Sequence, residues 1–232
     1  MIAFLAAAAT AAAAALATPP ATATPLAPDI VLARYQTALA GVKDPRVFTV
    51  EYTLEQTGTR VLDQRHRIFR SGGNERDETL AVNGKASSIP VVRIFRGRPY
   101  RYAVGRLAPR PAAYDFTYVG PHTTGKHVDY VFQLTAKTPA KDFALTAVTI
   151  DGVTFLPSSV AFATGSHAGS GSVTFAKSER WWVASGATAL ARVPGGVARE
   201  RLTFSRWRFP PQLPPSTFAQ PRPLLTPQPV LP

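Results

Sequence analysis

The 232 residues include no cysteine and a single methionine. A disulfide framework, a thiolate metal site, a cysteine nucleophile and a thioether-linked lipid are therefore all excluded. Acidic residues are scarce, with 14 Asp+Glu against 26 Lys+Arg for a formal net charge of +12, and charged residues make up only 17% of the chain. With 45% apolar residues, the composition rules out an acidic disordered tail or a coiled coil and leaves enough chain for one sizeable core. No Gly-x-Ser-x-Gly elbow, phosphate loop, dinucleotide fingerprint or His-Glu-x-x-His motif occurs. The acids are scattered except for Asp77-Glu78, and no pair is placed for general acid/base work. The sequence therefore reads as that of a non-enzyme, and it implies no cofactor.

Both ends lie outside the domain. Residues 2–17 are apolar, almost all alanine and uncharged, and the first ionisable side chain is Asp29. The run is too short and too weakly apolar to span a bilayer. It fits the apolar part of a secretory signal, with small-residue cleavage sites at Ala15-Leu16-Ala17 or Ala21-Thr22-Ala23, although no Lys or Arg precedes it. The expectation is a signal peptide over 1–23 and a soluble, extracytoplasmic (periplasmic) mature chain from about Thr24. At the other end, residues 210–232 carry nine prolines in 23 positions. Such a tail supplies too few ladder donors to build a sheet and reads as a surface strap.

Between these ends, residues 24–209 form one domain, mainly β with few helices. Asp29 is a plausible helix N-cap. Val31, Tyr35, Ala38, Leu39 and Val42 then recur on one helical face, and Gly41 with Pro45 ends the run. From Phe48 the period changes to two. Phe48, Val50, Tyr52 and Leu54 alternate with Thr49, Glu51, Thr53 and Glu55, and Val128, Tyr130, Phe132 and Leu134 repeat the pattern. Val148/Ile150, Val153/Phe155, Val160/Phe162, Val173/Phe175 and Leu202/Phe204 continue it. Turn signals such as Gly72-Gly73-Asn74, Asn83-Gly84 and Gly195-Gly196 separate the runs. About eleven strands result, with no room for βαβ crossovers, so the sheet should be antiparallel. A second short helix is expected near 186–193. Trp181 and Trp182 should place their rings on opposite faces of a strand.

The charge is regional. Residues 60–110 hold twelve basic and four acidic groups, whereas residues 111–180 hold five of each. In 60–70 neither alternating face is dry. In 91–104, Arg93, Arg96, Arg98 and Arg101 interleave with Val92, Ile94, Phe95, Tyr100 and Tyr102. Solvated, snorkelling side chains account for most of these. A concave sheet with an apolar floor and a basic rim puts both kinds on the same strands.

The segments ILARYQTALAGV, FTVEYTLEQTG, RVLDQRHRIFR, VTIDGVTFLPSSVAF and ERLTFSRWRFPPQLPPSTF, following a signal-like start, resemble the LolA-like periplasmic outer-membrane lipoprotein carriers in type and spacing from about Ile30 to Phe218. The family's Asp-Gly-Lys segment is represented only by Asn83-Gly84-Lys85. The resemblance implies an incomplete antiparallel β-barrel lidded by helices, with an apolar cavity for lipid or lipoprotein acyl chains. On that reading Phe48, Val50, Tyr52, Leu54, Tyr130, Phe132, Leu134, Ile150 and Phe162 line the cavity. Arg93, Arg96, Arg98 and Arg101 hold anionic headgroups or an anionic membrane surface. The protein would act as a monomer, with membrane-bound donor and acceptor lipoprotein machinery as its partners.

Other readings compete with this one. An envelope sensor or scaffold of the same fold would bind lipid or protein without transport. Nucleic-acid binding suits the charge, but the export signal and the lack of a recognisable module count against it. A transmembrane barrel would put the charges of 60–70 and 91–104 against lipid. His122, His127 and Asp129 share a loop region, but without helical ligand spacing they do not make a metal site on sequence grounds.

Overall fold

A computed structural model describes residues 25–59, 61–125, 127–139, 142–165 and 169–219. The signal segment and the last thirteen residues of the Pro-rich tail lie outside the described residues.

One helix precedes the sheet. Helix α1 (Pro28–Gly41) has Pro28 in its first turn, where the missing N–H costs nothing, and Asp29 faces the positive end of the helix dipole. The N-cap is Ala27 rather than Asp29, because Pro28 is itself suited to the first helical position and the start falls two residues earlier. Strands β1 (Val47–Gly58), β2 (Leu62–Ser71), β3 (Asn74–Val82) and β4 (Lys85–Phe95) follow as hairpins. The connection from Arg96 to Ala113 carries a single-turn helix, α2 (Val104–Leu107). Strands β5 (Tyr114–Thr124), β6 (His127–Ala136), β7 (Ala144–Asp151), β8 (Pro157–Thr164), β9 (Gly169–Ser178), β10 (Trp181–Val193) and β11 (Gly196–Arg208) complete the sheet.

All eleven strands form one sheet in the order β4-β3-β2-β1-β11-β10-β9-β8-β7-β6-β5, with every pairing antiparallel. Two meanders, β1–β4 and β5–β11, meet where β1 pairs with β11. Strands β4 and β5 remain edges, so the barrel is incomplete. The Arg96–Ala113 connection runs from one edge to the other. Asn83 and Gly84 both have positive φ (49° and 75°), as a tight β3–β4 hairpin demands, and the Asn83 carboxamide oxygen accepts from the Asp63 amide at 2.9 Å.

Residues directly opposite one another share a face. Register therefore draws one row across the inner face: Phe132, Val148, Val160, Val173, Ala187, Leu202, Leu54 and Gln64. The row is apolar until it reaches β2. Helix α1 covers its β5–β7 side. Val31 and Tyr35 are fully buried, the Tyr35 hydroxyl donates to the Pro109 carbonyl at 2.8 Å, and the Leu26 amide donates to the Tyr130 hydroxyl at 3.1 Å. No described helix is long and apolar enough to cross a membrane.

Three expectations need correcting. Residues 186–193 are not helical but belong to β10, where alanine-rich sequence is overridden by ladder pairing to both β9 and β11. Residues 91–104 are not one strand: β4 ends at Phe95, Gly97 takes φ +65° and Pro99 follows, so Arg96–Ala103 forms a loop. Val153 and Phe155 lie in the β7–β8 turn, with Phe155 at φ +55°. The start of the Pro-rich tail lies against the sheet. A 3-10 turn over Pro215–Phe218 buries Phe218, and the Arg76 guanidinium donates to the Thr217 carbonyl at 3.1 Å.

Candidate ligand-binding cavity

The inner face changes character at the β1–β11 seam. On the β5–β10 side Phe132, Val148, Val160 and Val173 are buried in the core, and a groove of about 490 Å³ lies beyond them between Tyr114, Leu145 and the α2 segment. On the β1–β4 side a cavity of about 330 Å³ opens between the sheet and the Arg96–Ala113 connection. Its floor is Tyr52, Leu54, Ile68, Leu202 and Phe204. Phe95, Pro99, Tyr100 and Tyr102 come from β4 and the loop, and Arg93, Arg98 and Arg101 stand around it. That volume lies at the lower end of the range for small-molecule pockets.

The aromatic wall joins a continuous cluster that runs from the cavity into the core. Phe48 packs on Tyr100 at 5.0 Å between ring centroids and on Trp207 at 5.1 Å. Tyr102 packs on Phe204 at 5.1 Å, and Tyr52 stacks on His66 at 4.6 Å with 7° between planes.

The polar wall explains why residues 60–70, the β2 segment, showed no dry face. His66, Arg70, Glu75 and Asp77 turn inward and satisfy one another. Asp77 accepts from the Tyr52 hydroxyl at 3.3 Å and pairs with His66 Nδ1 at 2.9 Å, while His66 Nε2 lies 3.1 Å from the Gln64 carboxamide oxygen. Arg70, only 4% exposed, bonds Glu75 at 2.7 Å and also donates to the Arg98 carbonyl, which ties the loop to the sheet. Buried charge of this kind is tolerated because each group has a partner. Burial pushes the hydroxyl pKa values of Tyr52 and Tyr100 far above the ordinary tyrosine range, and Asp77 adds to the effect at Tyr52. The Tyr100 hydroxyl is buried with no hydrogen-bond partner among the described residues.

Electrostatically the cavity is positive. Of its three carboxylates, Glu75 is engaged by Arg70 and Asp77 by His66 and Tyr52, leaving Glu200 against three arginines. Among the described residues, Arg93, Arg98 and Arg101 pair with no carboxylate. Arg98 lies over the Phe95 ring at 4.8 Å, and Arg101 lies 6.0 Å from the Tyr102 centroid.

The residues expected to line the site divide by location. Tyr52 and Leu54, with Arg93, Arg98 and Arg101, meet in this cavity. Phe48, Val50, Tyr130, Phe132, Leu134 and Ile150 are buried in the close-packed core. Phe162 is half-buried there and stacks on Phe143 at 5.4 Å. Arg96 is exposed outside the cavity lining. Ile68, Leu202, Phe204 and the pair Tyr100/Tyr102 were missed as lining residues. Cross-strand register is the signal that could have found three of them. Leu202 and Phe204 oppose Leu54 and Tyr52, and Ile68 opposes Val50.

No protein-family model and no curated protein matches the chain. Among solved structures it is similar to a LolA superfamily protein from Nitrosomonas europaea, at 13% identity and TM-score 0.46 over 84% of this chain and 99% of that one. A DUF1329 family protein from Desulfovibrio piger gives 12% identity and TM-score 0.45 over 82% of this chain and 97% of that one. A domain described as an outer membrane lipoprotein-sorting protein, from Vibrio parahaemolyticus, gives 14% and 0.45 over 81% and 95%. The fold in hand is an incomplete antiparallel barrel of eleven strands with helices laid over its inner face.

Proposed function

We propose that this protein is a non-catalytic, extracytoplasmic binding protein that takes up an acyl chain of a lipid or lipoprotein, with the anionic head held at the arginine mouth. One observation carries the reading. The hollow in the unclosed sheet joins an apolar floor (Leu54, Ile68, Leu202, Phe204) to three arginines that have no carboxylate partner among the described residues. An acyl chain gains about 0.8 kcal/mol per methylene on leaving water, so even eight buried carbons contribute about 6 kcal/mol. Guanidinium groups supply forked donors for a phosphate or carboxylate. The bare Tyr100 hydroxyl adds a donor in the wall; left unpaired, such a group costs about 1–3 kcal/mol. The volume suits one chain or part of one, rather than several at once.

Delipidated protein mixed with anionic vesicles carrying a fluorescent acyl lipid tests this. Transfer of the probe into the protein is expected, with saturation at one equivalent. Emission that stays with the vesicles would contradict the reading. A second reading, a scaffold that binds a protein strand, is favoured by the free edge β4, where Ile89 and Val91 are exposed. It predicts that a captured peptide leaves lipid uptake unchanged.

A further inference from the structure

The far side of the sheet from this cavity places a second set of chemical groups together. Asp129 on β6 is directly opposite Asp151 at the end of β7, and on its other side it is directly opposite His122 on β5. His127, two residues before Asp129, shares the same face. His127 Nε2 lies 3.2 Å from Asp129 Oδ1 and 3.0 Å from Asp151 Oδ2. Candidate ligand atoms of His127, Asp129 and Asp151 all fall within 4.8 Å of one another.

Two features distinguish this from a chance surface cluster. Two carboxylates directly opposed across a ladder repel, and a ring nitrogen, His127 Nε2, is placed between them. In addition, Asp151 is 8% exposed and oriented from behind. Its Oδ1 accepts from the Val153 amide at 3.1 Å, the Thr154 amide at 2.6 Å and the Thr154 hydroxyl at 2.7 Å, and Oδ2 is left directed at His127. Ligating carboxylates are held by outer partners in this manner.

We infer that His127, Asp129 and Asp151 form a three-ligand binding site for a divalent transition ion of the zinc class, with the fourth position open to solvent. Imidazole nitrogen with carboxylate oxygen is a donor set for zinc, whereas magnesium and calcium favour oxygen alone. Bonds of about 2.0–2.1 Å in a tetrahedron place ligand atoms about 3.3–3.4 Å apart. The two His127 contacts are within a few tenths of an ångström of that spacing. An ion here ties β6 to β7.

The test is isothermal titration of chelator-treated protein with Zn²⁺, repeated with Co²⁺ and read by the visible bands of tetrahedral cobalt. One saturable equivalent is expected. His127→Gln and Asp129→Asn should each weaken binding about tenfold or more, while Asp115→Asn, on the exposed part of β5, leaves it unchanged. Circular dichroism checks folding of each variant. Should Asp129→Asn misfold, the half-exposed His127 carries the test alone. No saturable binding of either ion, or equal affinity in the folded His127→Gln variant, would overturn the inference.

Discussion

Replacing Phe132 and Leu54 in turn separates packed core from open cavity. Phe132 is fully buried on β6, with Phe116 at 6.0 Å and Tyr118 at 5.2 Å between ring centroids. Truncation to alanine leaves a void among groups already locked by α1 and β5, so Phe132→Ala should cost about 3–5 kcal/mol. In a domain of this size each kcal/mol lowers Tm by about 2–4 °C, which gives a fall of about 6–20 °C. Leu54 sits in the same face-wide row but borders the 330 Å³ hollow. Leu54→Trp should therefore find room and change stability by less than about 1 kcal/mol, where an insertion into packed core costs about 1–3 kcal/mol. It should also abolish acyl-probe uptake. Thermal unfolding followed by circular dichroism, with probe uptake on the same samples, reads both effects. A tolerated Phe132→Ala together with a destabilising Leu54→Trp would reverse the assignment and refute the placement of the cavity.

Three further outcomes follow from named contacts. Arg93→Gln, Arg98→Gln and Arg101→Gln combined remove about 3 kcal/mol of attraction to an anionic surface, about a hundredfold in vesicle partitioning, and the remaining binding should depend less on salt. Tyr35, Tyr52 and Tyr100 have pKa values raised by burial, with Asp77 adding to the rise at Tyr52 and Arg110 opposing it at Tyr35. Their stabilisation is thus complete below about pH 10 and lost as pH climbs beyond it. In an alkaline absorbance titration these tyrosines should ionise only as the fold melts; ionisation at about pH 10 with intact circular dichroism would contradict their burial. Gly171→Ala drives a Cβ into the Thr188 carbonyl oxygen and the Phe162 ring, so it should destabilise by about 1–3 kcal/mol, measurable by urea unfolding.

The strands were readable where one face is dry. The alternation of Phe48, Val50, Tyr52 and Leu54 and of Tyr130, Phe132 and Leu134 matches β1 and β6. The same alternation could not tell core from cavity. Both require apolar side chains, and only register and the course of the Arg96–Ala113 connection separate Leu54 from Phe132. Helix was expected at 186–193 because alanine favours helix locally, yet the Gly186–Val193 backbone is held by partners distant in sequence. The wet faces of 60–70 were legible as an anomaly. Their cause, an inward network of His66, Arg70, Glu75 and Asp77, depends on β2–β3 pairing that no local pattern shows. His122, His127 and Asp129 were visible as a group. Asp151 completes them only through the β6–β7 register.

Native mass spectrometry of the protein purified from cell envelopes tests the central claim most directly. Bound species that carry the mass of an acyl-chain amphiphile, and that are lost in Leu54→Trp, are the predicted result. Bare protein alone, which also takes up no acyl lipid when one is added, would contradict it.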